Sequence, residues 1–345
     1  MTLGYRVQNS ECEVDCLPAD KKIEQAANPL IAKGVDKKRW INRQIALIDE
    51  AICEQLNVIL HEPRFQALES AWRGLVSLIE ACDMLGSIKI RFLDVSWHDL
   101  SRDFERAPDF DQSRLFHLVY NEEFGSPGGE PYSVLLGDYQ VAHRPYEGHP
   151  YDDVHTLQGI AQVAAASFSP FVCGAAAQLF GLDRFEDLGA RIDFDVIFKQ
   201  EEYIRWRSLR SSTDSRFLAV TLPGVLMRQP YCHHFSTGNG LRFKEEVGGP
   251  DGSRYLWGNA AYAFGGVLIN AFSSVGWFTH IRGVASDELA GGLVSNFAAQ
   301  SYRVDSTPVA YKILTPVLIT DDTERSLSEL GFIALCHCYQ TPYAA

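Results

Sequence analysis

From Trp40 onward, branched apolar residues recur at helical spacing: Ile41, Ile45, Ile48, Ile52, Leu56 and Ile59 form one stripe. Pro63 interrupts it, because a proline inside a helix removes a backbone donor and clashes with the preceding turn. A second stripe follows in Phe65, Leu68, Trp72, Leu75 and Ile79. The spacing predicts a pair of helices over residues 36–85. Neither helix can bury its stripe alone, so each is expected to pack on the body of the protein or on another chain. Residues 1–35 lack such periodicity and mix Pro, Asn, Asp and Lys, the composition of a tail that is disordered or held by a partner.

The pattern then changes period. "SIKIRFLDV" (87–95) alternates Ile88, Ile90 and Phe92 with Lys89 and Arg91, as a strand with one wet face does. "DFDQSRLFHLVYNEEFG" reads as a helix capped by Asp109 or Asp111 and closed by Gly125, and "PYSVLLGDYQV" as the next strand. The alanine-rich run 161–182 carries Gln162 and Gln178 and is broken by Pro170, so a buried helix or helix pair is expected there and a membrane span is not. Residues 194–212 read as a helix, 215–223 as a buried strand, and 257–277 as a second helix of small residues. Asn239 followed by Gly240 suits a type I′ hairpin turn. Towards the end come a strand at 316–320, a helix after Asp321 with Glu324 at capping-box spacing, and a strand at 332–340 after Gly331. Strands alternate with helices, which predicts an α/β (mixed α+β) body over 86–345, with a central mixed sheet covered by helices.

A chain of 345 residues can bury a sizeable core, and 46% apolar with 22% charged residues is ordinary for a globular protein. The formal net charge of −13 repels nucleic acid and anionic membrane. The N-terminus has acidic residues where an export signal needs an apolar core. The 8 cysteines are scattered without a CxxC, which fits reduced thiols in a cytoplasmic protein.

Candidate chemistry is sparse. Gly125, Gly128 and Gly129 lie between a predicted helix and a predicted strand, the reverse of a phosphate loop, and Glu130 adds negative charge, so a turn is expected. "YCHH" (Cys232, His233, His234) and "CHCY" (Cys336, His337, Cys338) lack the paired spacing of a zinc site. Asp152 with Asp153 and Asp321 with Asp322 precede helical patterns and suit caps. Arg205, Arg207 and Arg210 surround Trp206, on a solvated helix face or as a grip for an acidic partner or RNA. The same two readings hold for Lys37, Lys38, Arg39 and Arg43 at the first helix start. No catalytic residue, cofactor site or metal site is assigned.

Five runs in order carry a resemblance: "RAPDFDQSRLFHLVYNEEFGSPGGEPYSVLLGDYQV", "DDVHTLQGIAQVAAASFSPFV", "DSRFLAVTLPGVLMRQPY", "YLWGNAAYAF" and "ITDDTERSLSELGFIALCH". Together they resemble the large subunit of the bacterial type VI secretion contractile sheath (the TssC or VipB family), from about Ile45 to the C-terminus. The resemblance implies a structural, non-enzymatic protein with a contractile tail-sheath-like fold and no cofactor. It implies pairing with a small sheath subunit (TssB or VipA-like) in the bacterial cytoplasm. The pairs would stack helically on a baseplate around a tube of ring proteins (Hcp-like), and contraction would eject the tube. A recycling AAA+ unfoldase would act indirectly, mainly through the small subunit.

The partner interface is expected on Ile41, Ile45, Ile48, Ile52 and Leu56, with Arg205, Arg207 and Arg210 as further candidates; the alternative is that the stripe covers the chain's own sheet. The family's chains continue past "CHCYQTPYAA" into a segment whose strands link neighbouring subunits. The resemblance therefore speaks more directly for the heterodimer than for interlocked copies. A shortened, non-contractile paralogue that binds the small subunit or caps assembly, and an enzyme or metal-binding protein using residues 232–234 and 336–338, stand as the other readings.

Overall fold

The computed structural model describes residues 37–83, 88–190, 192–232, 241–247, 254–279, 281–283, 291–294, 297–303, 310–338 and 343–345. The helices are α1 (Lys37–Leu60), α2 (Pro63–Asp83), α3 (Trp97–Arg106), α4 (Arg114–Phe116, continuing as a π-helix over His117–Phe124), α5 (Asp153–Ser167), α6 (Phe194–Lys199), α7 (Ile204–Ser211), α8 (Ala260–Val275) and α9 (Asp321–Glu329). The strands are β1 (Leu135–Val141), β2 (Phe171–Ala175), β3 (Leu218–Leu222), β4 (Val225–Leu226), β5 (Trp257–Gly258), β6 (Gln300–Arg303), β7 (Ala310–Ile313) and β8 (Phe332–Ala334). Two compact units emerge: Met1–Leu60 with Tyr231–Glu245, and His61–Pro230 with Glu246–Ala345. The division thus falls after α1, and α2 belongs with the body.

In that body, β1, β2, β3 and β8 form a sheet in this order, parallel throughout, while β4–β5 and β6–β7 pair antiparallel as separate ribbons. Successive side chains of a strand point to opposite faces, and both faces of a parallel sheet are covered. Phe171, Cys173, Val220, Leu222 and Phe332 join the main core with Phe104, Leu157, Ile160, Phe180, Tyr203 and Trp206. Val172, with Ala219 and Ile333 beside it, meets Ala261, Phe264 and Leu268 of α8. The mixed α/β class expected from the alternation of elements is what the chain adopts.

Several local expectations are corrected. The alanine-rich run is a helix followed by a strand: α5 ends with Phe168 in the left-handed region (φ 54), and β2 follows Pro170 with all five residues buried. The residue before a proline is biased to extended backbone, so Pro170 separates the two. The helix expected over 194–212 is split by a 3-10 turn at Glu201–Tyr203. Ser113, not Asp109 or Asp111, caps α4, its hydroxyl accepting from Phe116 N, while the Asp103 carboxylate accepts from Arg114 N and Leu115 N. Thr320, rather than the Asp321/Glu324 pair, caps α9 by accepting from Thr323 N, and Gly331 follows at φ +83. Residues 316–320 form no strand. Only Phe332–Ala334 of the last expected strand joins the sheet; Cys336 then exchanges backbone hydrogen bonds with Ala345, and Cys338 N donates to Tyr343 O. The hairpin turn at Asn239 and Gly240 lies outside the described residues.

The strand expected at 87–95 is the largest departure. Residues 88–95 show neither helix, turn, bend nor ladder, and 89–94 are exposed in succession. The alternation is present, but among the described residues no strand pairs with it.

Candidate interaction surfaces

Helix α1 presents its isoleucines outward. Ile45 is 51% exposed and Ile52 41%, with Ile41 and Ile48 between them, while Leu56 is half-buried. The partly covered positions are Trp40, Gln44, Leu47, Asp49, Cys53, Leu56, Asn57 and Leu60. An amphipathic helix this short of buried area gains little from packing on its own chain.

Helix α2 behaves in the same way, and for a visible reason. Its packed side is Ser70, Gly74, Leu78 and Ala81, a row at spacings of four, four and three made mostly of small residues. That row lets α8 approach closely: an added Cβ on Gly265 would lie 3.0 Å from Leu78, and one on Gly74 would strike Tyr262. The Arg228 guanidinium, almost fully buried, clamps the helix from beside by donating to Glu69 Oε1 at 2.7 Å. The larger apolar residues Phe65, Leu68, Trp72, Val76 and Ile79 stay outside, Trp72 at 57% exposure. The sequence stripe was the outer face, and the buried face was the inconspicuous one.

Next to α2 runs the unpaired segment 88–95. Phe92, 68% exposed, lies 6.4 Å from Trp72 between ring centroids. On the other side Lys89 pairs with Glu130, and Arg91 with Glu123 and Glu130, its guanidinium 5.6 Å from the Tyr132 ring centre. The Glu130 backbone N–H and then the Arg91 guanidinium hold the Glu123 carboxyl below the ordinary range. Tyr139 donates its hydroxyl to Val95 O at 2.7 Å.

The three candidate arginines are largely engaged within the chain. Arg205 reaches Asp152 at 2.7 Å, and Arg207 donates to the carbonyls of Phe198 and Gln200, satisfying the end of α6. Arg210 has no ion pair or side-chain hydrogen bond among the described residues. The glycine loop turns the corner from the π-helix into β1: Gly128 sits at φ +86, and a Cβ on Gly129 would fall 2.2 Å from Glu123 O. Asp152 caps α5, accepting from His155 N. Asp153 accepts from Trp97 Nε1, Ala142 N and His149 Nε2 at 2.7–2.8 Å, which is a structural junction.

For bond-making chemistry the described residues provide little. No group of three His, Cys, Asp or Glu among them is arranged to hold a metal, and His233 and His234 lie outside the description. Burial raises the thiols of Cys336 (to about 11) and Cys338, the opposite of an activated nucleophile. A surface groove of about 360 Å³ has His155, Gln158, Asp109 and Asp214 on its walls, and no hydrogen bond or ion pair joins these side chains. No described helix is long and apolar enough to cross a membrane.

Besides its packed core, the body leaves several large apolar side chains of α2 exposed, a feature that marks candidate interaction surfaces. Residues 42–345 match the family described as "VipB: EvpB/VC_A0108, tail sheath N-terminal domain", and the chain belongs to that family. It is 36% identical over 329 residues to the type VI secretion system sheath protein TssC1 of Pseudomonas aeruginosa, covering 95% of this chain and 63% of that relative's length.

Proposed function

We propose that the chain is a structural subunit of a type VI secretion contractile sheath, acting in the bacterial cytoplasm and without enzymatic activity. The family match across 42–345 carries this reading. The companion is a small sheath subunit, and it covers the α1 stripe of Ile41, Ile45, Ile48, Ile52 and Leu56. Burial of such a stripe removes several fully apolar side chains from water, each contributing roughly 1.5–3 kcal/mol. Rigid bodies joined by many modest interfaces can shift together, because packed cores do not deform continuously. The tube of ring proteins, the baseplate and a recycling unfoldase complete the machine in this reading, the last acting mainly through the small subunit.

Co-expression with the small sheath subunit tests it. A stable complex that appears as long tubules by electron microscopy is the expected result. A well-folded chain that never associates with the small subunit would overturn it.

A further inference from the structure

We infer that residues 88–94 form an acceptor edge for a β-strand of another chain, and that this strand is an alternately apolar, weakly charged segment of the companion subunit. The inference deepens the proposed function and rests on it, since it names the kind of element that binds and where.

The first observation concerns the backbone. No N–H or C=O of residues 88–94 makes a hydrogen bond within the described structure, although the alternation of Ile88, Ile90 and Phe92 with Lys89 and Arg91 is that of a strand. An exposed row of unpaired donors and acceptors is a template for strand pairing. A helix docked there would bury those groups without partners, whereas a strand satisfies them.

The second observation is that side chains already hold the segment in place. Lys89 and Arg91 are tied to Glu130 and Glu123, Val95 O to Tyr139, and Phe92 rests near Trp72. Lys89 and Arg91 anchor on the run leading into β1, and Tyr139, which holds Val95, lies within β1, itself an edge strand of the sheet. A preorganised edge costs less to order on binding than a loose one.

Charge selects the occupant. Because Glu123 and Glu130 neutralise Lys89 and Arg91, an incoming strand needs no acidic residues opposite them, and the apolar floor of Phe92 and Trp72 favours apolar side chains. A second copy of the same segment fits less well. Antiparallel self-pairing centred on Arg91 sets Arg91 against Arg91, and centring on Ile90 sets Lys89 against Arg91.

The test is amide hydrogen exchange on the full chain, by itself and bound to the small sheath subunit, with a proline scan at Ile90, Arg91, Phe92 and Leu93. Alternate amides of 88–94 should slow on binding by about a hundredfold or more, as ladder hydrogen bonds do. Proline at alternate positions should weaken association roughly tenfold, and at the intervening positions much less, since a strand offers each edge only every second N–H. Each variant is exposed and outside the chain's own elements, so an unchanged thermal unfolding curve certifies its fold. A complex that forms while these amides still exchange freely overturns this inference and leaves the proposed function standing. Failure of any complex to form overturns both. Protection that appears in the chain by itself and grows with its concentration assigns the edge to a second copy and overturns the inference. An equal loss at all four proline positions does the same.

Discussion

Gly74 of α2 faces the ring of Tyr262 in α8 so closely that a Cβ on Gly74 would stand 2.5 Å from the ring carbons. Alanine normally favours a helix over glycine by about 1 kcal/mol. Here the ring must move or the helices separate, so Gly74→Ala is expected to destabilise the body by about 1–3 kcal/mol, as overpacking does. Gly266 is the control: a Cβ there meets nothing within 4 Å, and Gly266→Ala should stabilise by up to about 1 kcal/mol. Denaturant unfolding of the two variants checks the opposite signs.

The Glu69–Arg228 pair makes a second prediction. Its side chains are 12% and 6% exposed, and Arg73 shares the same carboxylate at 2.8 Å. Glu69→Ala removes the carboxylate that faces the buried Arg228 guanidinium and should cost about 3 kcal/mol. Glu69→Leu combined with Arg228→Met should recover most of that loss, because the buried charge leaves with its partner while the more exposed Arg73 stays solvated. A double-mutant cycle by urea denaturation measures the difference.

Acid sensitivity should trace to His143. The imidazole is 5% exposed, stacks on Tyr203 at 3.9 Å, and neither ring nitrogen has a partner. Burial lowers its pKa below the usual 6.5; Glu202 nearby opposes this shift and Arg144 adds to it. The unfolded chain therefore binds the proton more readily. Stability from the neutral ring is complete above pH 6.5 and drains away as pH falls through the folded value. The melting temperature of the wild type should drop relative to His143→Phe as pH is lowered from 7.5 towards 5, with the two curves parallel above pH 7.5.

Ile45→Asp with Ile52→Asp addresses α1. Both positions are exposed, so the chain's own stability should change by only about 0.5–1 kcal/mol, most of it from helix propensity. Association with the small sheath subunit should be lost. A collapse of the free chain's unfolding midpoint would instead identify the stripe as core.

Periodicity revealed that α1 and α2 exist and that Pro63 lies between them, yet it left open whether the α2 stripe faces the body or another chain. Hydrophobic spacing marks the side that avoids water, and in a subunit of an assembly that side need not be the one turned inward. Ser70, Gly74 and Ala81 gave no apolar signal because their part is to let Tyr262 and its helix come near. Strand β2 was hidden for a different reason: a strand buried on both faces loses its alternation, and Val172, Cys173, Gly174 and Ala175 read as a continuation of the alanine-rich helix. At 88–95 the alternation was legible, while the existence of a pairing neighbour is not a property of the segment itself. The arginines around Trp206 looked like a surface motif until Phe198 O, Gln200 O and Asp152 came into reach through the fold. The apolar surfaces were thus readable as composition, and their direction was not.

The order of the central sheet has a consequence for synthesis. Strand β8 seals the flank of β3, with Val220, Thr221 and Leu222 set against Phe332, Ile333 and Ala334, although the ribbons and helix α8 lie between them in the chain. During translation, β1, β2 and β3 leave the ribosome long before their last neighbour does. Over that interval the apolar rim of β3 is open to any passing strand, and pairings of such high sequence separation close slowly. The β3 edge of a nascent chain is therefore expected to stay open until Phe332, Ile333 and Ala334 have been made.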